Sequence, residues 1–123
     1  VQIGDGKANR QVEHVSYVVP SNMKREAVLR LVDEDSTDTI LIFTRTKDAA
    51  QGLSDVLNVK GYSVAALHGD MSQNDRNAAL QGFRDGQHRI LVATDVAARG
   101  IDVTGIGRVI NYDMPDSVES YIH

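Results

Sequence analysis

The sequence lacks cysteine and any long apolar run, and each absence excludes a class of protein. Without cysteine, neither disulfide bonds nor thiolate metal sites can form. No stretch approaches the roughly 20 apolar residues of a membrane-spanning helix, and no basic-then-apolar signal peptide opens the chain. We therefore expect a cytoplasmic protein that has no membrane partner.

The sequence also lacks an excess of positive charge. Its 13 Lys and Arg residues against 17 Asp and Glu residues give a formal net charge of -4. This charge argues against binding of nucleic acid through a general positive field. A local basic site is still compatible with it, because several cations lie at or near the ends of predicted elements. They are Arg45, Lys47, Arg76, Arg84, Arg89, Arg99 and Arg108.

The pattern of apolar residues predicts a single α/β domain in the 123-residue chain. Residues 1–13 have a polar, glycine-containing composition and are interpreted as an extended or loose lead-in, and 14–123 as the domain. Strands predicted at 39–44 and 89–94 are nearly all apolar, which is typical of parallel strands covered on both faces. The predicted fold class is therefore a three-layer parallel β-sheet with helices on both faces.

The remaining elements follow from the same periodicity. Further strands are predicted at 14–19, 63–67 and 108–112, and helices at 23–35, at 47–58 and from Ser72 onward. Ser21 or Asn22 is the expected cap of the first helix, and Ser72 with Asp75 forms a capping box for the third. Asp116 and Glu119 predict the beginning of one more helix.

Several familiar site motifs are absent. Gly6-Lys7-Ala8 lacks the upstream glycine and the hydroxyl of a phosphate-binding loop, and Gly105-Ile106-Gly107 lacks the third glycine of a dinucleotide fingerprint. Ser63 opens a predicted strand, whereas the serine of a nucleophile elbow follows one. The four histidines are scattered without metal-ligand spacing, so we expect no metal site.

Three polar segments each begin at the carboxyl end of a predicted strand. They are 41–47 (LIFTRTK), 68–76 (HGDMSQNDR) and the run at 90–103 (ILVATDVAARGIDV). In a parallel sheet these ends meet at one edge, where ligands of open α/β sheets bind. The segments offer hydroxyls, amides, arginines and a helix N-terminus, which favours phosphate. Such a surface suits a sugar-phosphate backbone, because donors to phosphate position a nucleic acid without reading its bases.

The same segments resemble a known family. LIFTRTK resembles motif IV of the DEAD-box RNA helicases, HGDMSQNDR resembles the motif that contains Gln73 and Arg76, and ATDVAARGID resembles motif V. They occur in the family's order, and the resemblance to the second RecA-like domain of these helicases covers essentially the whole chain. The tail Tyr121-Ile122-His123 resembles the beginning of motif VI, so we expect the domain to be incomplete at its C-terminal end.

The resemblance implies roles for individual residues. Asp102 is expected near the ribose of the nucleotide, and His123 is expected to couple the ATP state to RNA binding. Gly100 also has a physical reason, because a residue without Cβ allows close approach of a phosphate. The residues expected to contact the backbone of single-stranded RNA are Thr44, Arg45, Gly69, Gln73, Arg76, Thr94, Arg99 and Gly100.

The phosphoryl chemistry of the family is expected to lie outside this sequence. The phosphate loop and the acidic magnesium-binding box belong to the N-terminal RecA-like domain of the family, and this sequence contains neither. The arginine fingers that stabilise a transferring phosphoryl group are expected after His123. We therefore expect ATP and Mg²⁺ to be held mainly by the N-terminal domain, and this chain alone to lack ATPase activity. The expected partners are that domain and single-stranded or short duplex RNA.

The residues leave other functions open. Helix capping or a surface ion pair is the alternative role for Thr44, Gln73 and Arg76. For the whole chain, the alternatives are the second motor domain of a DNA helicase and a RecA-like module that only binds partners. A phosphoacceptor domain that uses Asp95 or Asp113 is disfavoured, because the acidic pair that magnesium would require near the first strand is missing.

Overall fold

The computed structural model describes residues 2–5, 13–16, 24–34, 39–102 and 105–112. Within these ranges the chain alternates between strands and helices, as the periodicity predicted. The strands are β1 (Gln2–Asp5), β2 (Glu13–Ser16), β3 (Ile40–Thr44), β4 (Val64–Leu67), β5 (Ile90–Thr94) and β6 (Arg108–Asn111). The helices are α1 (Lys24–Glu34), α2 (Lys47–Val59), α3 (Gln73–Arg84) and α4 (Asp95–Ala98).

The six strands form one sheet in the order β2-β1-β6-β3-β5-β4. The strands β6, β3, β5 and β4 pair parallel with one another in this order, which confirms the predicted parallel sheet. The strand β1 differs, because it pairs antiparallel with both β6 and β2. It lies in the segment 1–13 that was expected to be an extended or loose lead-in. Its four residues, QIGD, are too few to show a period, so only their pairing with β6 and β2 identifies them as a strand.

Apolar clusters cover both faces of the parallel strands. Along β3, Leu41 and Phe43 pack on one face while Ile40 and Ile42 pack on the other, as the two-residue period of a strand requires. The first cluster includes residues of α3 and α4, and the second includes residues of α1 and α2. Every residue of β3 and β5 is buried. The fold is therefore the predicted three-layer α/β arrangement.

Side-chain caps fix where two of the helices begin. The Thr46 side chain accepts a hydrogen bond from the Ala49 N–H at the beginning of α2. The Ser72 side chain accepts one from the Asp75 N–H at the beginning of α3, which confirms the predicted cap. Gly61 and Gly86 follow these helices with positive φ angles of 99° and 82°, a conformation that glycine adopts without strain. The expected caps Ser21 and Asn22 of α1 lie outside the described residues.

The short helix α4 was not predicted from the sequence. Thr94 ends β5 and its side chain caps α4, so the chain turns directly from strand to helix. Four residues are too few to show a helical period. The helix expected from Asp116 lies outside the described residues. No helix in the described ranges is both long enough and apolar enough to span a membrane.

Candidate nucleic-acid interface

The exits of three parallel strands meet at one edge of the sheet. Thr44 and Thr94, the last residues of β3 and β5, are register partners. Leu67, the last residue of β4, is paired with Ala93, one residue before the end of β5. The polar segments that follow these strands are therefore neighbours. We call this set of residues, 44–47, 68–76 and 94–100, the carboxyl edge.

At the exit of β3, one threonine holds the turn into α2. Thr44 is 0% exposed, and its hydroxyl donates to the Thr46 carbonyl oxygen at 3.2 Å. Thr46 in turn caps α2 by accepting from the Ala49 N–H at 3.1 Å. Arg45, between the two threonines, is exposed. The predicted RNA contact of Thr44 is therefore not available to its side chain in this conformation, whereas Arg45 is accessible.

The exit of β4 is a turn that is anchored on both sides. His68 Nε2 lies 3.2 Å from Gln51 Oε1 of α2, and the half-buried Met71 packs against the apolar cluster beneath α3. Gly69, between them, is exposed, and a Cβ built on it would have no heavy atom within 4 Å. The Gly69 backbone is thus open to solvent on a turn that is fixed by its neighbours.

The first turn of α3 presents an amide and a guanidinium. Gln73 is exposed, and its Nε2 donates to Asn77 Oδ1 at 2.9 Å, so its Oε1 is not used in this contact. Arg76 is partly buried, and its Nε is enclosed without a hydrogen-bond partner in the described part of the chain. A buried donor without a partner carries a desolvation cost. Neither the capping role nor the surface ion pair considered for Gln73 and Arg76 is observed among these contacts.

The exit of β5 carries three of the predicted contact residues. Thr94 is 7% exposed, and its Oγ1 accepts from the Ala97 N–H at 3.4 Å. Its hydroxyl hydrogen is therefore not used in this cap. Arg99 and Gly100 are exposed. Gly100 has φ 81° with no atom within 4 Å of a built Cβ, so its left-handed backbone, rather than crowding, favours glycine there.

An ion pair at the carboxyl edge was missed in the sequence analysis. Lys47 Nζ donates to Asp70 Oδ2 and so connects the beginning of α2 to the turn after β4. The hydrogen bond and the charge of Lys47 hold the pKa of Asp70 below its ordinary value, and Asp70 raises the pKa of Lys47 in the same way. Both residues lie in segments that the sequence analysis selected, but their separation of 23 positions gave no sign that they meet.

Asp102 lies apart from the carboxyl edge. It is exposed and lines a cleft of about 230 Å³ on the α3 face of the sheet. The other lining residues include Thr39, which precedes β3, and Arg84, the last residue of α3. The segment after Gly100 thus returns along the sheet toward the beginning of β6. The run at 90–103 therefore divides, since Thr94, Arg99 and Gly100 belong to the carboxyl edge and Asp102 to the cleft.

Two further predictions concern His123 and a metal site. His123 lies outside the described residues. In the described ranges, no group of three or more His, Cys, Asp or Glu side chains is placed to hold a metal ion.

Asp102 is a carboxylate at the border of a cleft, and a carboxylate accepts hydrogen bonds from ribose hydroxyls. It therefore fits the sugar of a nucleotide but supplies no phosphate donor.

Comparison with known proteins identifies the family. Residues 23–123 match the model of the helicase conserved C-terminal domain. The DEAD-box ATP-dependent RNA helicase RhpA of Helicobacter pylori strain B128 is 43% identical over 115 residues, which cover 94% of this chain and 23% of RhpA. The ATP-dependent rRNA helicase RRP3 of Candida glabrata is 49% identical over 106 residues, which cover 86% of this chain and 22% of RRP3. The chain therefore spans less than a quarter of the length of these relatives.

A solved structure gives the same result for the fold. The crystal structure of a DEAD box protein from the hyperthermophile Methanococcus jannaschii has a TM-score of 0.72 and 39% sequence identity to this chain, and the match covers 84% of this chain and 28% of that one. The predicted RecA-like fold is thereby confirmed. The chain belongs to the helicase conserved C-terminal domain family, in the form found in DEAD-box RNA helicases.

Proposed function

We propose that this chain is the half of an ATP-dependent RNA helicase that binds the RNA backbone and borders the ATP cleft, in a parent protein that unwinds or remodels short RNA duplexes. The observation that carries the proposal is the convergence of three strand exits at the carboxyl edge, with Thr44 and Thr94 in register. The names of the relatives RhpA and RRP3 support ATP-dependent RNA helicase as the parent activity.

The carboxyl edge offers donors for phosphate oxygens. Arg76 places a partly buried guanidinium group on the first turn of α3, Arg99 is exposed, and the hydroxyl hydrogen of Thr94 is not used in the α4 cap. Gly69 and Gly100 add backbone that is open to solvent. Such groups position a nucleic acid strand without selecting its sequence. The edge is thus suited to the backbone of RNA in general.

The other residues with a predicted role are proposed to act in different ways. Arg45 adds an exposed cation beside the exit of β3, and Gln73 offers its Oε1 as an acceptor for a ribose 2′-hydroxyl. Thr44 acts indirectly, because its buried hydroxyl holds the Arg45–Thr46 turn in place. His123 couples the ATP state to RNA binding, as its position in the family motif implies.

The nucleotide contribution of this chain is small. Asp102 binds the ribose of ATP, while the N-terminal RecA-like domain of the parent binds the phosphates together with Mg²⁺. Bound ATP supplies the phosphoryl group whose transfer to water drives the helicase cycle. Within this chain, the role of Asp102 is to accept hydrogen bonds from the sugar when the two domains close. Its position on the far side of Gly100 from the RNA-binding residues supports this division of tasks.

Titration of single-stranded RNA into the 123-residue chain tests the proposal. We expect weak binding that becomes weaker as salt increases, because half of a cleft on an acidic domain meets few phosphates. The double variant Arg76→Ala with Arg99→Ala removes two charged donors. It should weaken binding by at least about tenfold, and it should reduce the log-log salt slope by about 1.4, since each lost phosphate contact on a single strand contributes roughly 0.7.

A matched control removes the same charge elsewhere. Arg25 and Arg30 are exposed on α1, which packs on the sheet away from α3. Arg25→Ala with Arg30→Ala should therefore leave most of the affinity and the salt slope intact. Equal losses in both double variants would contradict a localised site. Equal affinity for single-stranded DNA of the same sequence would instead favour the DNA helicase alternative, because the 2′-hydroxyl distinguishes the two strands.

A further inference from the structure

The Lys47–Asp70 ion pair joins two of the three segments of the carboxyl edge. Lys47 is the first residue of α2, and Asp70 lies in the turn between β4 and α3, between Gly69 and the Ser72 cap. The two side chains are 54% and 62% exposed, respectively. The pair is therefore located on the same solvent-facing edge as the groups that we propose to contact RNA phosphates.

The fold does not depend on this pair. The turn after β4 is already held by the His68–Gln51 contact at 3.2 Å, by the packing of Met71 and by the Ser72 cap at 3.1 Å. An exposed ion pair contributes little to stability, because solvent screens it and ordering two side chains costs entropy. A lysine at the beginning of a helix also opposes the helix dipole. We therefore expect Lys47 and Asp70 to contribute little to the stability of the helix or of the turn.

The pair instead has a consequence for the binding of anions. An ammonium group on a phosphate-binding edge is a phosphate ligand, but Asp70 presents to it the same kind of anionic oxygen that a phosphate would. A carboxylate at that position also repels the RNA backbone. In the isolated chain, Lys47 is therefore already occupied by an internal anion.

We propose that Asp70 is an internal competitor of RNA for Lys47. RNA binding exchanges the carboxylate of Asp70 for a phosphate oxygen on the Lys47 ammonium group, so Lys47 is an additional phosphate ligand and Asp70 limits the affinity. This inference rests on the proposed RNA-binding function of the carboxyl edge. It assigns roles to two residues that are not among the predicted contacts.

Four variants of the 123-residue chain test the exchange by titration with single-stranded RNA at several salt concentrations. Asp70→Asn should bind about two- to fivefold more tightly, with a log-log salt slope that is steeper by roughly 0.7, because one more cation meets a phosphate. Lys47→Gln should bind more weakly. In the double variant, the gain from Asp70→Asn should fall below twofold, since the ligand that it releases is missing.

Asp48→Asn is the matched control. Asp48 is exposed and adjacent to Lys47, and it acts on Lys47 through charge but forms no hydrogen bond with it. Its substitution changes the net charge by the same amount and should leave the salt slope unchanged. An equal effect of Asp48→Asn and Asp70→Asn would overturn the exchange in favour of a simple charge effect.

Two further outcomes separate the inference from the proposed function. If the unaltered chain binds RNA and Asp70→Asn binds it equally well or more weakly, the exchange alone is overturned. The ion pair would then serve to stabilise the carboxyl edge. In that case thermal unfolding of Asp70→Asn should also shift clearly, whereas the exchange predicts a change of less than about 5 °C. No RNA binding by any variant would overturn the proposed function and the exchange together.

Discussion

At the scale of single residues, two threonines at equivalent positions of the carboxyl edge have opposite hydrogen-bonding roles. Thr44 and Thr94 are register partners, and both are buried. The Thr44 hydroxyl donates to the Thr46 carbonyl oxygen, whereas the Thr94 hydroxyl accepts from the Ala97 N–H. A hydroxyl has one hydrogen to donate. The hydroxyl hydrogen of Thr94 is therefore not used in its cap, whereas that of Thr44 holds the turn.

The ionisation of Asp70 gives a residue-scale prediction that needs no RNA. Lys47 lowers the pKa of Asp70, so the stability from this pair is present above the ordinary aspartate pKa of about 3.9 and is lost as pH falls through the lowered value. Asp70 raises the pKa of Lys47, so the same stability is present below the ordinary lysine pKa of about 10.4 and is lost as pH rises through the raised value. The ion pair should therefore be intact between these two limits, which include neutral pH.

An NMR titration of the Asp70 carboxyl carbon measures this directly. In the unaltered chain its pKa should lie below the ordinary value, and in Lys47→Gln it should rise. Arg30→Gln, on the exposed surface of α1, is the control and should leave the Asp70 titration in place. An Asp70 pKa that is the same in Lys47→Gln and in the unaltered chain would show that the two side chains do not pair in solution.

The sequence predicted which residues reach the carboxyl edge but not what each side chain does there. Both threonines end apolar strands, and the family resemblance implied the same RNA contact for each. The difference depends on whether the next residues turn once, as at Arg45, or enter a helix at once, as at Asp95. The Lys47–Asp70 contact also could not be predicted from the sequence, because it depends on how two neighbouring loops are oriented.

At the scale of elements, the beginning of α3 links local stability to the proposed binding site. The Ser72 side chain accepts from the Asp75 N–H at 3.1 Å, and the turn that it caps carries Gln73 and Arg76. Ser72→Ala removes the cap and should cost about 1 kcal/mol, which corresponds to a decrease in Tm of roughly 3–6 °C for a chain of this size. RNA affinity should also fall, because the first turn frays.

The control for this prediction keeps the cap. Ser72→Thr retains a hydroxyl at the same position and should restore both Tm and RNA affinity to near their original values. Thermal unfolding and RNA titration on the three proteins are the measurements. If Ser72→Ala lowers Tm but leaves RNA affinity unchanged, then the orientation of the first turn of α3 does not matter for binding.

The elements that the sequence predicted share a strong local signal. The helices α2 and α3 were predicted because apolar residues recur at helical spacing, and for α3 a capping box marked the beginning as well. The strands β3 and β5 were predicted because their apolar runs are continuous. The strand β1 and the helix α4 have four residues each, and tertiary contacts determine them. Local sequence could not identify elements of that length.

At the scale of the whole molecule, the sheet order separates the two proposed tasks of this chain. The adjacent strands β3, β5 and β4 bring together at the carboxyl edge the segments that we propose to bind RNA. The connection from β5 to β6 then carries Asp102 to the cleft that Thr39 and Arg84 line. The sequence predicted the convergence, because it follows from parallel strands alone. It placed Asp102 in the same run and could not show that the chain leaves the edge there.

This division predicts how the chain behaves toward ATP. Phosphoryl transfer requires groups that hold the phosphates and their metal ion, and the sequence contains no glycine-rich phosphate loop that could supply them. The nucleotide contact proposed here is a single carboxylate, Asp102, directed at the sugar. The purified chain should therefore bind RNA but show no ATP turnover, with or without RNA.

A steady-state phosphate-release assay with saturating RNA tests this prediction, and the parent helicase serves as the positive control. In that parent, Asp102→Ala should raise the KM for ATP by about tenfold, because a charged hydrogen-bond acceptor is lost from the ribose contact. Its effect on RNA affinity without nucleotide should be small, since Asp102 lies off the carboxyl edge. RNA-stimulated ATP turnover by the 123-residue chain alone would disprove the assignment of phosphate binding to another domain.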